Sequence, residues 1–148
     1  MSKILVDTNL LLDDPNILFK LSREYDLIVL STVVLKELDK LKKSPDLSYS
    51  ARAAIGAIQD FKTRFPNKIK FVVRDNDMSS NDFLIVETAK EEQATIATKD
   101  ISMSIIAESK QIEVELHGNI ANGIYNPYLY LDSMNMGFDF EYKQVYEK

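Results

Sequence analysis

Cysteine and tryptophan are absent from the 148 residues, histidine occurs once, and glycine and proline occur four times each. Without cysteine there is no disulfide scaffold, thiolate nucleophile, iron–sulfur cluster or Cys-based zinc site. The lone His117 cannot supply a multi-histidine metal centre, and any His-based triad would have to be built around it. So little glycine and proline excludes a collagen-like or disordered chain. Positive charge is also in deficit: 18 Lys and Arg against 23 Asp and Glu leave −5. That balance argues against general adhesion to nucleic acid but leaves room for a local basic patch. No apolar run approaches the ~18–20 residues of a membrane span. Asp7 and Asp13 interrupt the apolar start too early for a signal-peptide core. No membrane partner is expected, and a cytoplasmic location is the default. What remains for chemistry is oxygen, from carboxylates, hydroxyls and amides.

The apolar pattern alternates between two periods. Short β-type runs at Ile4–Val6, Leu27–Leu30, Ile69–Val73, Thr95–Thr98 and Glu113–Leu116 predict five strands. Between them lie helical segments. Pro15 suits a first turn ahead of Ile17, Leu18 and Leu21. Ser31 or Thr32 can cap a helix carrying Val34, Leu38 and Leu41, and Ala53, Ala54, Ala57, Ile58 and Phe61 mark a longer one from Ser48 to Arg64. Ser79, Ser80 or Asn81 caps a fourth, and a fifth runs from Ser102 to Lys110. Apolar strands joined by helical crossovers imply a parallel sheet covered on both faces, hence an α/β fold. Residues 1–116 are expected to form this domain. Residues 117–148 are expected to be an extension that packs on it or leads to a further domain. That extension holds three of the four glycines and five of the seven tyrosines.

In such sheets ligands bind beyond the carboxyl ends of the strands. Four carboxylates are expected there. Asp7 ends the first strand, Asp100 follows the fourth, and Asp82 lies in the first turn of a helix that begins at the same edge. Glu37 lies in the second turn of the helix after strand two. On a helical wheel it falls about 60° from Val34, flanking the apolar stripe, so it should be half-buried. Asp39 faces away and can pair with Lys43. Blander roles exist for three of them, Asp82 as a dipole-favoured acid, Asp100 as an N-cap and Glu37 as a partner of Lys40, whereas Asp7 has none beyond a cap for the next helix. Four converging carboxylates would raise one another's pKa unless a cation compensated, and oxygen ligands select Mg²⁺ or Mn²⁺. The matching chemistry is metal-assisted phosphodiester hydrolysis.

The segments ILVDTNLLLDD (Ile4–Asp14), VVLKELDKLKK (Val33–Lys43), NDFLIVETA (Asn81–Ala89) and ATIATKD (Ala94–Asp100) together resemble the PIN-domain family of nucleases. The resemblance covers about the first 116 residues. Asp7–Leu18 looks most like the PIN domain that precedes PhoH-type ATPases; no GxxxxGK[ST] loop occurs here, so that ATPase would be a separate or missing domain. The resemblance implies a three-layer α/β/α sandwich with a mainly parallel sheet. It further implies a Mg²⁺- or Mn²⁺-dependent endoribonuclease acting through Asp7, Glu37, Asp82 and Asp100, and the lack of a basic field over the whole molecule favours single-stranded RNA as its substrate. Thr8, Asn9 and Thr98 match its supporting hydroxyl and amide positions, and a homodimer is implied by the resemblance alone. Ser102 departs from the PhoH-linked pattern, where Asn or Asp would follow.

Substrate binding needs cations near these acids, and the candidates are Lys36, Lys40, Lys43, Arg52 and Lys99. Two other functions compete. A PIN-like module could bind RNA or protein without cleaving. A haloacid-dehalogenase-like phosphohydrolase could use Asp7 as nucleophile, although that chemistry wants an aspartate at position 9, where Asn9 stands. A receiver domain fits less well, because Asp13 and Asp14 come too late for its paired acids. His117 is expected in a turn or at the surface.

Overall fold

The computed structural model describes residues 1–74 and 80–118. Their elements run β1 (Lys3–Val6), α1 (Thr8–Asp13), α2 (Ile17–Leu21), β2 (Leu27–Ser31), α3 (Thr32–Leu41), α4 (Ser48–Arg64), β3 (Ile69–Val72), α5 (Asn81–Glu92), β4 (Thr95–Thr98), α6 (Ile101–Ser109) and β5 (Val114–Leu116). A 3₁₀ turn at Pro66–Lys68 leads into β3. Met1–His117 form one compact unit. The extension beyond Gly118, with its five tyrosines, lies outside the described residues. Among the described residues no helix is long and apolar enough to cross a membrane.

The five strands are all parallel, in the order β3-β2-β1-β4-β5. Ile4, Leu5 and Val6 have no exposed surface, and Ile28, Val29 and Leu30 are equally enclosed in the neighbouring strand. A parallel sheet covered on both faces requires such continuous apolar strands. One helical layer contributes Leu11, Leu18, Leu38, Ala54 and Phe61, and Ile85, Ala89, Met103 and Ala107 come from α5 and α6. Removing such a side chain, as in Leu38→Ala, costs about 2–5 kcal/mol where the cavity cannot collapse.

One expected boundary is corrected. The first helix begins not near Pro15 but at Thr8, directly after β1, and Pro15 precedes the separate short helix α2. The cause is Asp7, whose extended backbone and side chain cap α1 by accepting from Thr8 N–H. The other caps resolve as Ser31 for α3, Ser80 for α5 and Asp100 for α6.

The topology also locates a ligand site. From β1 the chain builds outward through β2 to β3, then returns to add β4 and β5 on the opposite side. The strand order therefore reverses between β1 and β4, and a crevice opens at their carboxyl ends. Asp7 N–H extends the ladder by donating to Ala97 O at 3.0 Å, which joins the two strands at that point.

Candidate active site

Asp7 is 4% exposed, at the reversal point itself. Its Oδ1 accepts from Thr8 N–H at 2.7 Å and its Oδ2 from the Thr98 hydroxyl at 2.8 Å. Thr98 is fully buried at the end of β4 and also accepts the Asp100 N–H at 3.0 Å. One hydroxyl thus couples the carboxylate that ends β1 to the turn that ends β4. Asp100 caps α6 by accepting from Met103 N–H at 3.3 Å, so its N-cap role and its place at the site coexist.

Glu37 is half-buried, as its position beside the apolar stripe predicts. It pairs not with Lys40 but across the crevice. Thr8 Oγ1 donates to its Oε1, and Asn81 Nδ2 donates to its Oε2 at 2.7 Å. Asp39 turns away, as expected, but pairs with Lys42 at 2.9 Å in place of Lys43. Asn81 is a site residue that sequence reasoning treats only as a cap. Its signal is the dipeptide Asn81-Asp82 at a helix start: once Ser80 supplies the cap, the Asn81 amide can turn toward the edge where Glu37 lies.

Electrostatics tie the four acids together. Burial pushes the Asp7 carboxyl up to about 6, the Thr98 and Thr8 hydrogen bonds oppose that rise, and the charges on Asp82 and Glu37 add to it. Partial desolvation raises Asp82 too, followed by repulsion from Asp100 and Glu37. Asp82 is the most open of the four, so its rise reflects neighbouring charge as well as burial. Like charges gathered in this way are stabilised by a counter-cation.

The expected cations divide into two sets. Lys99 is held by Asp13 at 3.1 Å, at the end of α1. Lys36, Lys40 and Lys43 are exposed and, among the described residues, form no ion pair, and Arg52 donates to Ser48 Oγ at 3.3 Å. Asn9 is exposed in the first turn of α1. His117 is half-buried beyond β5, where its N–H donates to Thr98 O at 2.7 Å and its ring meets Glu115 at 2.6 Å.

Whether these residues suit a metal ion can be judged from their chemistry. The donors are carboxylate oxygens only, matching a hard cation and excluding a thiolate or imidazole site. The side chains of Asp7, Glu37 and Asp100 now engage hydroxyl and amide donors. Among the described residues no three Asp, Glu or His groups converge closely enough to hold an ion as they stand. The donor set and its mutual repulsion therefore fit, and coordination would require those side chains to exchange partners.

A model of the PIN domain matches residues 4–117, which takes in all four acids. The chain belongs to the PIN-domain family. Solved structures share the fold. A domain of a functionally unknown protein from Methanocaldococcus jannaschii aligns with a TM-score of 0.61 at 18% identity, over 80% of this chain and 93% of that one. The PIN domain of human SMG5 aligns with a TM-score of 0.56 at 14% identity, over 78% and 92%. The PIN domain endonuclease Utp24 aligns with a TM-score of 0.53 at 18% identity, over 79% and 86%. Among curated proteins no sequence matches. PIN domains are generally nucleases that use divalent metal ions.

Proposed function

We propose that this PIN domain is an endoribonuclease that hydrolyses phosphodiester bonds in single-stranded RNA with Mg²⁺ or Mn²⁺. The observation that carries this reading is the group of four carboxylates at the strand-order reversal, in which Asp7 feels the charges of Asp82 and Glu37 and Asp82 those of Asp100 and Glu37, with Asp7 buried and held by two donors. Asp7, Glu37, Asp82 and Asp100 would hold the ion. When bound, it supplies a lowered pKa for the attacking water and neutralises charge on the phosphoryl oxygens.

The remaining work belongs to the chain. Thr8 and Thr98 orient Asp7 and favour its ionised form, and Thr8 and Asn81 orient Glu37. Lys36, Lys40 and Lys43 are the candidates for phosphate: among the described residues none of them forms a salt bridge, Asp39 pairing with Lys42 and only lying near Lys43. Single-stranded substrate held locally is favoured over long duplex because a chain of net charge −5 has no basic field over the whole molecule. A homodimer and a PhoH-type ATPase partner belong to the same reading through the family alone, and a cytoplasmic setting is its default.

The test is incubation of labelled unstructured RNA with Mn²⁺ or Mg²⁺, with and without chelator. Internal cleavage with metal and none with chelator is expected. Cleavage that persists in chelator contradicts the mechanism. Binding of several RNAs with no cleavage means a non-catalytic module, and phosphate release from small monoesters alone means a phosphohydrolase.

A further inference from the structure

Tyr49 is 85% exposed in the first turn of α4, an exposure matched among the large apolar side chains of the described residues only by the terminal Met1. Its ring makes no aromatic contact among the described residues, whereas Phe19, Phe61 and Phe65 pack on one another at the far end of the same helix. Burial cannot account for an aromatic side chain held in water.

Its place in the fold follows from lengths. α4 delivers the chain through the 3₁₀ turn to Ile69, which pairs with Ile28 near the amino end of β2. That edge lies opposite the carboxylates. α4 has 17 residues and so spans about 25 Å, while a strand of four or five residues spans about 13–17 Å. The helix exceeds the strands by about 10 Å, so starting from the amino edge it reaches back to the carboxyl edge and brings its first turn to the acids' side of the sheet. Packing of α4 on α1 and α3, which both begin at that edge, agrees with this placement. The hairpin of α3 and α4 thus forms an arm beside the site, with Glu37 near its base and Tyr49 near its tip.

The arm is also net positive, although residues 62–74, toward the opposite edge, hold as many cations, three of them paired with Asp60, Glu92 and Glu91. Residues 36–52 hold five cations against three carboxylates, in a chain of net charge −5. Arg52 lies three residues after Tyr49 and therefore shares its face of the helix. An exposed ring flanked by cations suits one class of ligand, an unpaired nucleobase with its adjoining phosphates.

We infer that Tyr49 is a stacking platform for a base of the substrate, with Arg52 and Lys43 holding neighbouring phosphates. This rests on the reading that RNA is the substrate and assigns it a binding position away from the cleaved bond. It explains how an acidic protein can hold single-stranded RNA: the ring contributes affinity that does not depend on charge. Paired bases are stacked within a duplex and cannot use it.

The experiment measures the Kd of a fluorescent unstructured oligoribonucleotide for the full chain, in chelator to prevent cleavage and again with Ca²⁺. Wild type, Tyr49→Ala and Tyr49→Phe are compared. Because the ring is exposed, both variants should keep the wild-type unfolding midpoint. The alanine variant should bind about 5- to 100-fold more weakly and the phenylalanine variant within about twofold of wild type. The loss should persist at higher salt, where a purely ionic contact fades. If wild type binds and Tyr49→Ala binds equally well, the stacking assignment is wrong while the RNA reading stands. If wild type binds no oligonucleotide under either condition, both fall together.

Discussion

Asp7→Asn should give a protein that is more stable than wild type at pH 7.5 and cleaves RNA at least about 100-fold more slowly. The two effects have one origin. An aspartate whose carboxyl titrates at about 6 in the folded protein, against an ordinary value of 3.8, is destabilising when ionised. A tenfold change in acidity corresponds to about 1.4 kcal/mol, so full ionisation of Asp7 costs about 3 kcal/mol. The sign follows from linkage. Below about pH 4 the group is protonated in folded and unfolded chains alike and costs nothing; the cost grows between about 4 and 6 and is complete above.

Asparagine removes the charge but meets the Thr98 hydroxyl with an amide where a carboxylate oxygen had accepted, so part of the gain is returned. The net expectation is a gain of about 1–3 kcal/mol at pH 7.5 that vanishes near pH 4, read by urea unfolding at both values. The rate should fall by more than the 10–100-fold typical of residues one step removed from a metal. A variant less stable than wild type at pH 7.5, or one that cleaves normally, contradicts the role given to Asp7.

Thr98→Val should lower both stability and rate. The side chains have nearly the same shape, so little packing changes, but two groups lose their partner. The Asp7 carboxylate loses its 2.8 Å donor, and the Asp100 N–H loses the oxygen it reaches at 3.0 Å. Stranding buried polar groups costs about 1–3 kcal/mol. Since the Thr98 hydrogen bond favours ionised Asp7, its removal should raise that pKa above about 6 and move the acid limb of the pH–rate profile upward. A fall in rate of about 10–100-fold is expected, expressed in kcat more than in KM, because Thr98 positions a carboxylate and touches no substrate. Wild-type stability together with an unmoved pH profile would remove Thr98 from the account.

Much of this architecture can be read from the chain because its strands carry an unambiguous signal. Ile4–Val6 and Leu27–Leu30 are apolar runs too short for helices and too continuous for a half-exposed sheet, so a parallel sheet with crossovers is the natural reading. Strand ends then draw attention to Asp7 and Asp100, and the helical wheel puts Glu37 at the border of its buried face. Helix α1 is not legible, because Asp7 looks like the end of a strand and no periodic pattern fits within six residues. Its cap and its place at the site are one side chain in two roles. Asn81 escapes for a related reason: a polar residue at a helix start has a local explanation, and only the tertiary contact with Glu37 distinguishes it. Tyr49 is equally hidden, since sequence period says which face of α4 is polar but not how far that helix overreaches the sheet. Likewise the pairing of Lys99 with Asp13 joins the turn after β4 to the end of α1, two places distant in the chain.

The central claim is that four carboxylates form one electrostatic unit that receives a divalent cation, and the titration of Asp7 reports on it without reference to catalysis. Carbon-detected NMR of the Asp7 carboxyl, with and without saturating Mg²⁺, is the direct measurement. Without Mg²⁺ the inflection should lie at about 6. With Mg²⁺ it should move to a pH lower by about 1 or more, as expected for a carboxylate beside an opposite charge. An Asp7 titration that is the same in both conditions would contradict the account.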